Sequence, residues 1–77
     1  MSSRLPRVTA AEVIGVLESI GFELSRQSGS HKIYKNVEDG LRVTVLFHSG
    51  KILHPKTLKS ILDDAELTVD EFIRFLN

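Results

Sequence analysis

The run Gln27-Ser-Gly-Ser-His-Lys-Ile-Tyr-Lys35 holds the side chains best suited to chemistry in this chain. His31 follows the pair Gly29-Ser30 and has cations around it at Arg26, Lys32 and Lys35. Histidine changes charge near neutral pH, which makes it the common group for moving protons there. A proton-transfer group among cations suits a phosphodiester substrate. Cleaving such a bond without a metal needs a base for the 2′-hydroxyl proton, an acid for the leaving oxygen, and positive charge for the phosphorane-like state. His31 fits either proton role. His48 is the natural candidate for the other, because it closes a strand within the same basic stretch. Lys32 or Lys51 would instead stabilise charge.

Other residues have a chemical reading and a plain one. Gly29 either supplies a backbone conformation that other residues resist or lets a phosphate approach the main chain. Lys56 and Lys59, near the start of a helix, are placed to touch phosphate or simply to be solvated. Tyr34 is expected to pack rather than to stack on a base. His54 precedes Pro55 and reads as a helix-start residue. The three histidines lie 17 and 6 residues apart, with no carboxylate at ligand spacing, so no metal site is expected.

These side chains need a scaffold, and the sequence outlines one. Thr9-Ala-Ala-Glu12 is a capping box, with Val8 and Val13 placed as a hydrophobic staple. Val13, Ile14, Leu17 and Ile20 recur at helical spacing, which predicts a helix over 10–20 ended by Gly21. Strands are expected over 22–26, 30–36 and 41–47, joined at Ser28-Gly29 and at the Asp39-Gly40 hairpin signal. In the third strand Leu41, Val43, Val45 and Phe47 share one face, while Arg42, Thr44, Leu46 and His48 share the other. His31 has the parity of Ile33. With Ile33 in the core, either the strand begins after His31 or the histidine lies at the rim of the helix layer. Pro55 starts a helix to about Asp64, and a second capping box, Thr68-Val-Asp-Glu71, starts a short terminal helix.

The predicted architecture is therefore α+β. It is an α-β-β-β-α layout like that of double-stranded-RNA-binding domains, with a short C-terminal helix and helices on one face of a three-stranded antiparallel sheet. At 77 residues the chain is expected to be one domain, with residues 1–7 a loose end. It contains no cysteine, which excludes disulfides and thiolate zinc sites and suits a reducing compartment. No apolar run approaches a membrane span and no leader pattern precedes Thr9, so a cytoplasmic location without membrane contact is expected. Net charge is zero, yet it is unevenly spread. Residues 26–59 hold seven cations against two carboxylates; residues 60–77 hold five carboxylates against Arg74. A basic middle attracts phosphates, and an acidic end faces a basic partner or solvent.

Several segments together resemble the HicA family of toxins, small messenger-RNA interferases of toxin–antitoxin pairs. They are Gly21-Phe22, Arg26-Gln27, Gly29-Ser30-His31-Lys32-Ile33-Tyr34-Lys35, Arg42-Val43-Thr44-Val45, His48-Ser49-Gly50-Lys51 and Pro55 to Leu62. Leu46 stands where family members often have proline. The resemblance implies a fold like that of a double-stranded-RNA-binding domain, cleavage of messenger RNA without cofactor or metal, and inhibition by a HicB-type antitoxin. It puts the catalytic histidine at His31 and the preceding glycine at Gly29. The expected RNA contacts are Gly29, Ser30, Lys32, Lys51, Lys56 and Lys59, with His48 second in catalysis or on phosphate. The toxin alone is expected to be a monomer. A non-catalytic RNA-binding module of the same fold is the alternative.

Overall fold

Thr9 opens the first helix as its capping box predicts. The Glu12 N–H donates to Thr9 Oγ1 at 3.3 Å, and the Thr9 N–H donates to Glu12 Oε1 at 2.9 Å. In this computed structural model, which describes residues 4–76, helix α1 runs Ala10–Ser19 and buries Ala10, Val13, Ile14, Val16 and Leu17. Val8 is buried in the same cluster as Val13, the pairing a staple requires. Gly21, at φ 104°, then turns the chain beside Asn36, where a Cβ would stand 3.3 Å from the amide nitrogen. Only glycine adopts that conformation at little cost.

Three antiparallel strands follow in the spatial order β1 (Phe22–Ser28), β2 (His31–Asn36) and β3 (Arg42–Leu46). Gly29 and Ser30 alone join β1 to β2, with Gly29 at φ 57°. At the second hairpin the Gly40 N–H donates to the Asn36 carbonyl at 2.8 Å and the Leu41 N–H to Asp39 Oδ1 at 3.0 Å. Among the described residues Asn36 is the buried polar side chain. It is satisfied on both sides, donating to the Ile20 carbonyl at 3.4 Å and accepting from the Glu38 N–H at 3.0 Å.

Helix α2 (Pro55–Asp64) has the bounds the sequence predicts and buries Leu58, Ile61 and Leu62. Helix α3 (Val69–Leu76) starts on the second capping box, in which Thr68 and Glu71 exchange bonds of 2.9 and 3.1 Å. Phe72 is its fully buried residue, packed in one cluster with α1, α2, Tyr34, Val43 and Val45. All helical packing therefore falls on one face of the sheet, as the α+β reading requires. The segment before α1 is tied to the segment before α2: Thr9 bridges Ile52, and the Leu53 N–H donates to the Val8 carbonyl at 2.8 Å. Of the expected loose end at 1–7, residues 1–3 lie outside the described residues, whereas Leu5 packs against the core. Among the described residues no helix is long and apolar enough to cross a membrane.

One expectation fails. With Ile33 in the core, the sequence pattern puts His31 either out of the strand or at the rim of the helix layer. Instead Tyr34 and Asn36 are buried, Ile33 is half-buried, and His31 is exposed. Tyr34 pairs with Val43, and its ring fills the core beneath the central strand. An aromatic ring buries more apolar area than isoleucine, so it takes the inward phase. His31 is thus the first residue of β2 and faces away from the helices, as does Ile33.

Candidate functional site

The strand register defines what surrounds His31. Its partners are Ser28 on β1 and Leu46 on β3. One step along the same face come Arg26, Ile33 and Thr44; the next row is Glu23, Lys35 and Arg42. No described helix covers these rows. Among the described residues the His31 ring makes no hydrogen bond, and neither Arg26, Lys35 nor Arg42 forms an ion pair. The result is an open, cation-rich surface with an exposed imidazole at one end.

The turn before His31 is braced. Gln27 Nε2 donates to the Gly29 carbonyl at 3.2 Å, and the Phe47 N–H donates to the Ser30 carbonyl at 2.7 Å. The second bond continues the β2–β3 pairing one step beyond both strands. His48 and the Ser49-Gly50 turn follow at the same end of the sheet, with the Lys51 N–H donating to the His48 carbonyl at 3.3 Å. Gly29, Ser30, His31, His48 and Lys51 therefore gather at one end, all exposed except the half-buried Ser30.

The remaining candidates do not join them. Lys32 has the opposite parity to His31, and its ammonium lies 4.2 Å from the centroid of the Phe47 ring. That cation–π contact holds it beside the helix layer. Lys56 and Lys59 ride on α2, across the sheet from His31. Lys59 stands in the second turn rather than at the helix start, and its ammonium pairs with Asp63. The His54 ring caps α2, with Nδ1 accepting from the Lys56 N–H at 3.1 Å, which is the helix-start role expected of it. Tyr34 packs as expected, and burial together with the nearby Glu18 carboxylate raises its phenol pKa.

Arg26 and Lys35 stand near His31 along the chain, but the sequence pattern does not place them, or Arg42, on its face. Two signals were missing: the phase of β2, which with Tyr34 inward turns Lys35 outward beside its partner Arg42, and the register of β1, which sets Arg26 opposite Ile33. Among the described residues no group of three His, Asp or Glu side chains stands close enough to hold a metal ion. A cleft of about 470 Å³ between Ile20, Gly21, Glu23, Asn36, Val37 and Glu38 opens at the far end of β2 from His31.

The profile of a family described as HicA toxin of bacterial toxin-antitoxin matches residues 10–67, from the first residue of α1 to just past α2. No curated protein matches the chain.

Proposed function

The chain belongs to the HicA toxin family of bacterial toxin–antitoxin systems, and from that premise we propose that it is a metal-independent endoribonuclease acting on messenger RNA. His31 is its general acid or base. The exposed imidazole on the uncovered face of the sheet carries this reading, because a long, flexible polymer reaches such a site without any opening of the fold. In the reaction the 2′-hydroxyl loses its proton and attacks the adjacent phosphorus. The 5′-oxygen leaves with a proton from the acid, giving a 2′,3′-cyclic phosphate and a 5′-hydroxyl end. His48 is the proposed second group, acting on the leaving oxygen or holding the phosphate. The N–H groups around Gly29 and Ser30, with Lys51, hold charge at the same end. Lys32, Lys56 and Lys59 lie on the helical side, so RNA lying across the open face alone does not reach them.

A HicB-type antitoxin neutralises the toxin by covering the face around His31, and the free toxin is a cytoplasmic monomer. The deciding experiment is cleavage of RNA in EDTA by the wild type and by His31→Ala. General acid–base groups typically contribute about 10²–10⁴-fold, so the variant should lose at least ~100-fold in single-turnover rate while still binding RNA. A 2′-deoxy substitution at the cut nucleotide should abolish cleavage by the wild type. Unchanged cutting by His31→Ala would remove the histidine from the chemistry. RNA binding without any cutting, in both proteins, would establish the RNA-binding-module alternative.

A further inference from the structure

Strand β1 does not keep a regular register with β2. Leu24 pairs with Tyr34, but the next pair is Arg26 with Ile33, so Ser25 is an extra residue that bulges out of the ladder. In a regular ladder Ser25 would face Ile33, and Arg26 would pair with Lys32 on the helix-covered side. The bulge reverses this. It turns Arg26 onto the face that carries His31, and re-aiming a side chain is a common use of bulges beside functional sites. Arg26 then borders a shallow depression of about 180 Å³ with Ser25, Ile33 and Arg42. Two guanidinium groups, without ion pairs among the described residues, thus flank one hollow, on the row next to His31 and the row beyond it.

We propose that Arg26 and Arg42 form a subsite for a backbone phosphate of the RNA, away from the phosphate at which His31 acts. The proposal rests on the reading of His31 as the group that acts on RNA. Guanidinium suits this task because its planar fork matches two phosphate oxygens at once and stays charged at all relevant pH. His31 and Ile33 are two residues apart along β2, about 7 Å, a spacing comparable to that of successive phosphates on an extended strand. The single carboxylate on these rows, Glu23, stands opposite Lys35 and leaves the hollow cationic. The two arginines are positioning residues: they fix where the chain lies across the sheet.

The test uses an unstructured RNA oligonucleotide and the full chain with His31→Ala, so that binding is read without cleavage. Adding Arg26→Gln and Arg42→Gln should weaken binding roughly ten-fold at about 0.1 M salt. It should also reduce the slope of log K against log salt by about 0.7, the value for one lost phosphate contact on a single strand. Arg26→Lys should restore the slope in part, and Arg74→Gln on α3 should leave it unchanged. With His31 present, the half-saturating protein concentration should rise in single-turnover cleavage while the saturated rate holds. An unchanged slope, with the wild type cutting normally, overturns the subsite and leaves the nuclease standing. Weaker binding in the arginine variants of a protein that never cuts leaves the subsite standing and removes the nuclease. If the wild type neither binds nor cuts RNA, both fall. Loss of antitoxin affinity with RNA binding intact overturns the subsite in favour of a protein-docking surface.

Discussion

Tyr34 and His31 are three residues apart in the same strand, yet they lie in opposite environments. Tyr34 has its ring in the core, and burial, then Glu18, raises its phenol pKa above the usual value of about 10. The folded state therefore holds this proton more tightly than the unfolded chain does. That contribution is complete below about pH 10 and is lost as pH rises from there through the raised folded value. Tyr34→Phe should flatten this alkaline loss of stability, which thermal melts of both proteins between about pH 8 and 11 will measure. The chemical candidates at Gly29, His31 and His48 were legible because residue type alone marks them. The orientation of His31 was not. In His-Lys-Ile-Tyr-Lys-Asn two apolar residues stand side by side, and a period of two cannot say which faces inward. The choice is made by Val43 across the ladder and by the helices beneath it.

The helices were the most legible elements, and their ends follow from local hydrogen bonds. Both capping boxes form, and Pro55 opens α2 as expected. The end of α2 uses a device the sequence hides. The Leu67 N–H reaches back to the Leu62 carbonyl at 2.9 Å and the Glu66 N–H to Asp63 at 3.1 Å, the paired bonds of a Schellman motif. The residue in the left-handed position is Glu66, at φ 57°, where glycine is usual. Glu66→Gly should therefore stabilise the protein, by up to about 1 kcal/mol, read as a higher denaturant midpoint at unchanged m-value. A destabilised variant would show that the Glu66 side chain makes a contribution larger than its backbone strain. The bulge at Ser25 was hidden for a different reason. Phe22-Glu-Leu-Ser-Arg26 alternates cleanly, and nothing local records that Ile33 pairs with Arg26 instead of Ser25. Long-range pairing decides it.

Across the whole molecule, the basic half of the sequence is not one patch. The sheet divides it, with His31, Arg26, Lys35 and Arg42 on the open face and Lys32, Lys56 and Lys59 on the helical side. Counting charge along the chain saw the excess but not the division, because strand parity separates neighbours such as His31 and Lys32. Helix α3 lies beyond the matched residues 10–67, yet it places Phe72, the largest of the fully buried side chains, against the same core. In a 77-residue domain that ring contributes about 2–3 kcal/mol, a substantial part of typical total stability. The tie between Leu53 and Val8 has a consequence for motion. The loop with His48 and Lys51 is pinned at one end by Phe47 to Ser30 and at the other by Leu53 to Val8. It moves as a span between two anchors, and the second anchor belongs to the entrance of α1. Amide hydrogen exchange should therefore show the Leu53 N–H opening in step with the Val13 N–H of that first helical turn, and more slowly than the Lys51 N–H between the anchors. If Leu53 instead exchanges as fast as Lys51, the loop is free of the first helix, and its residues keep time on their own.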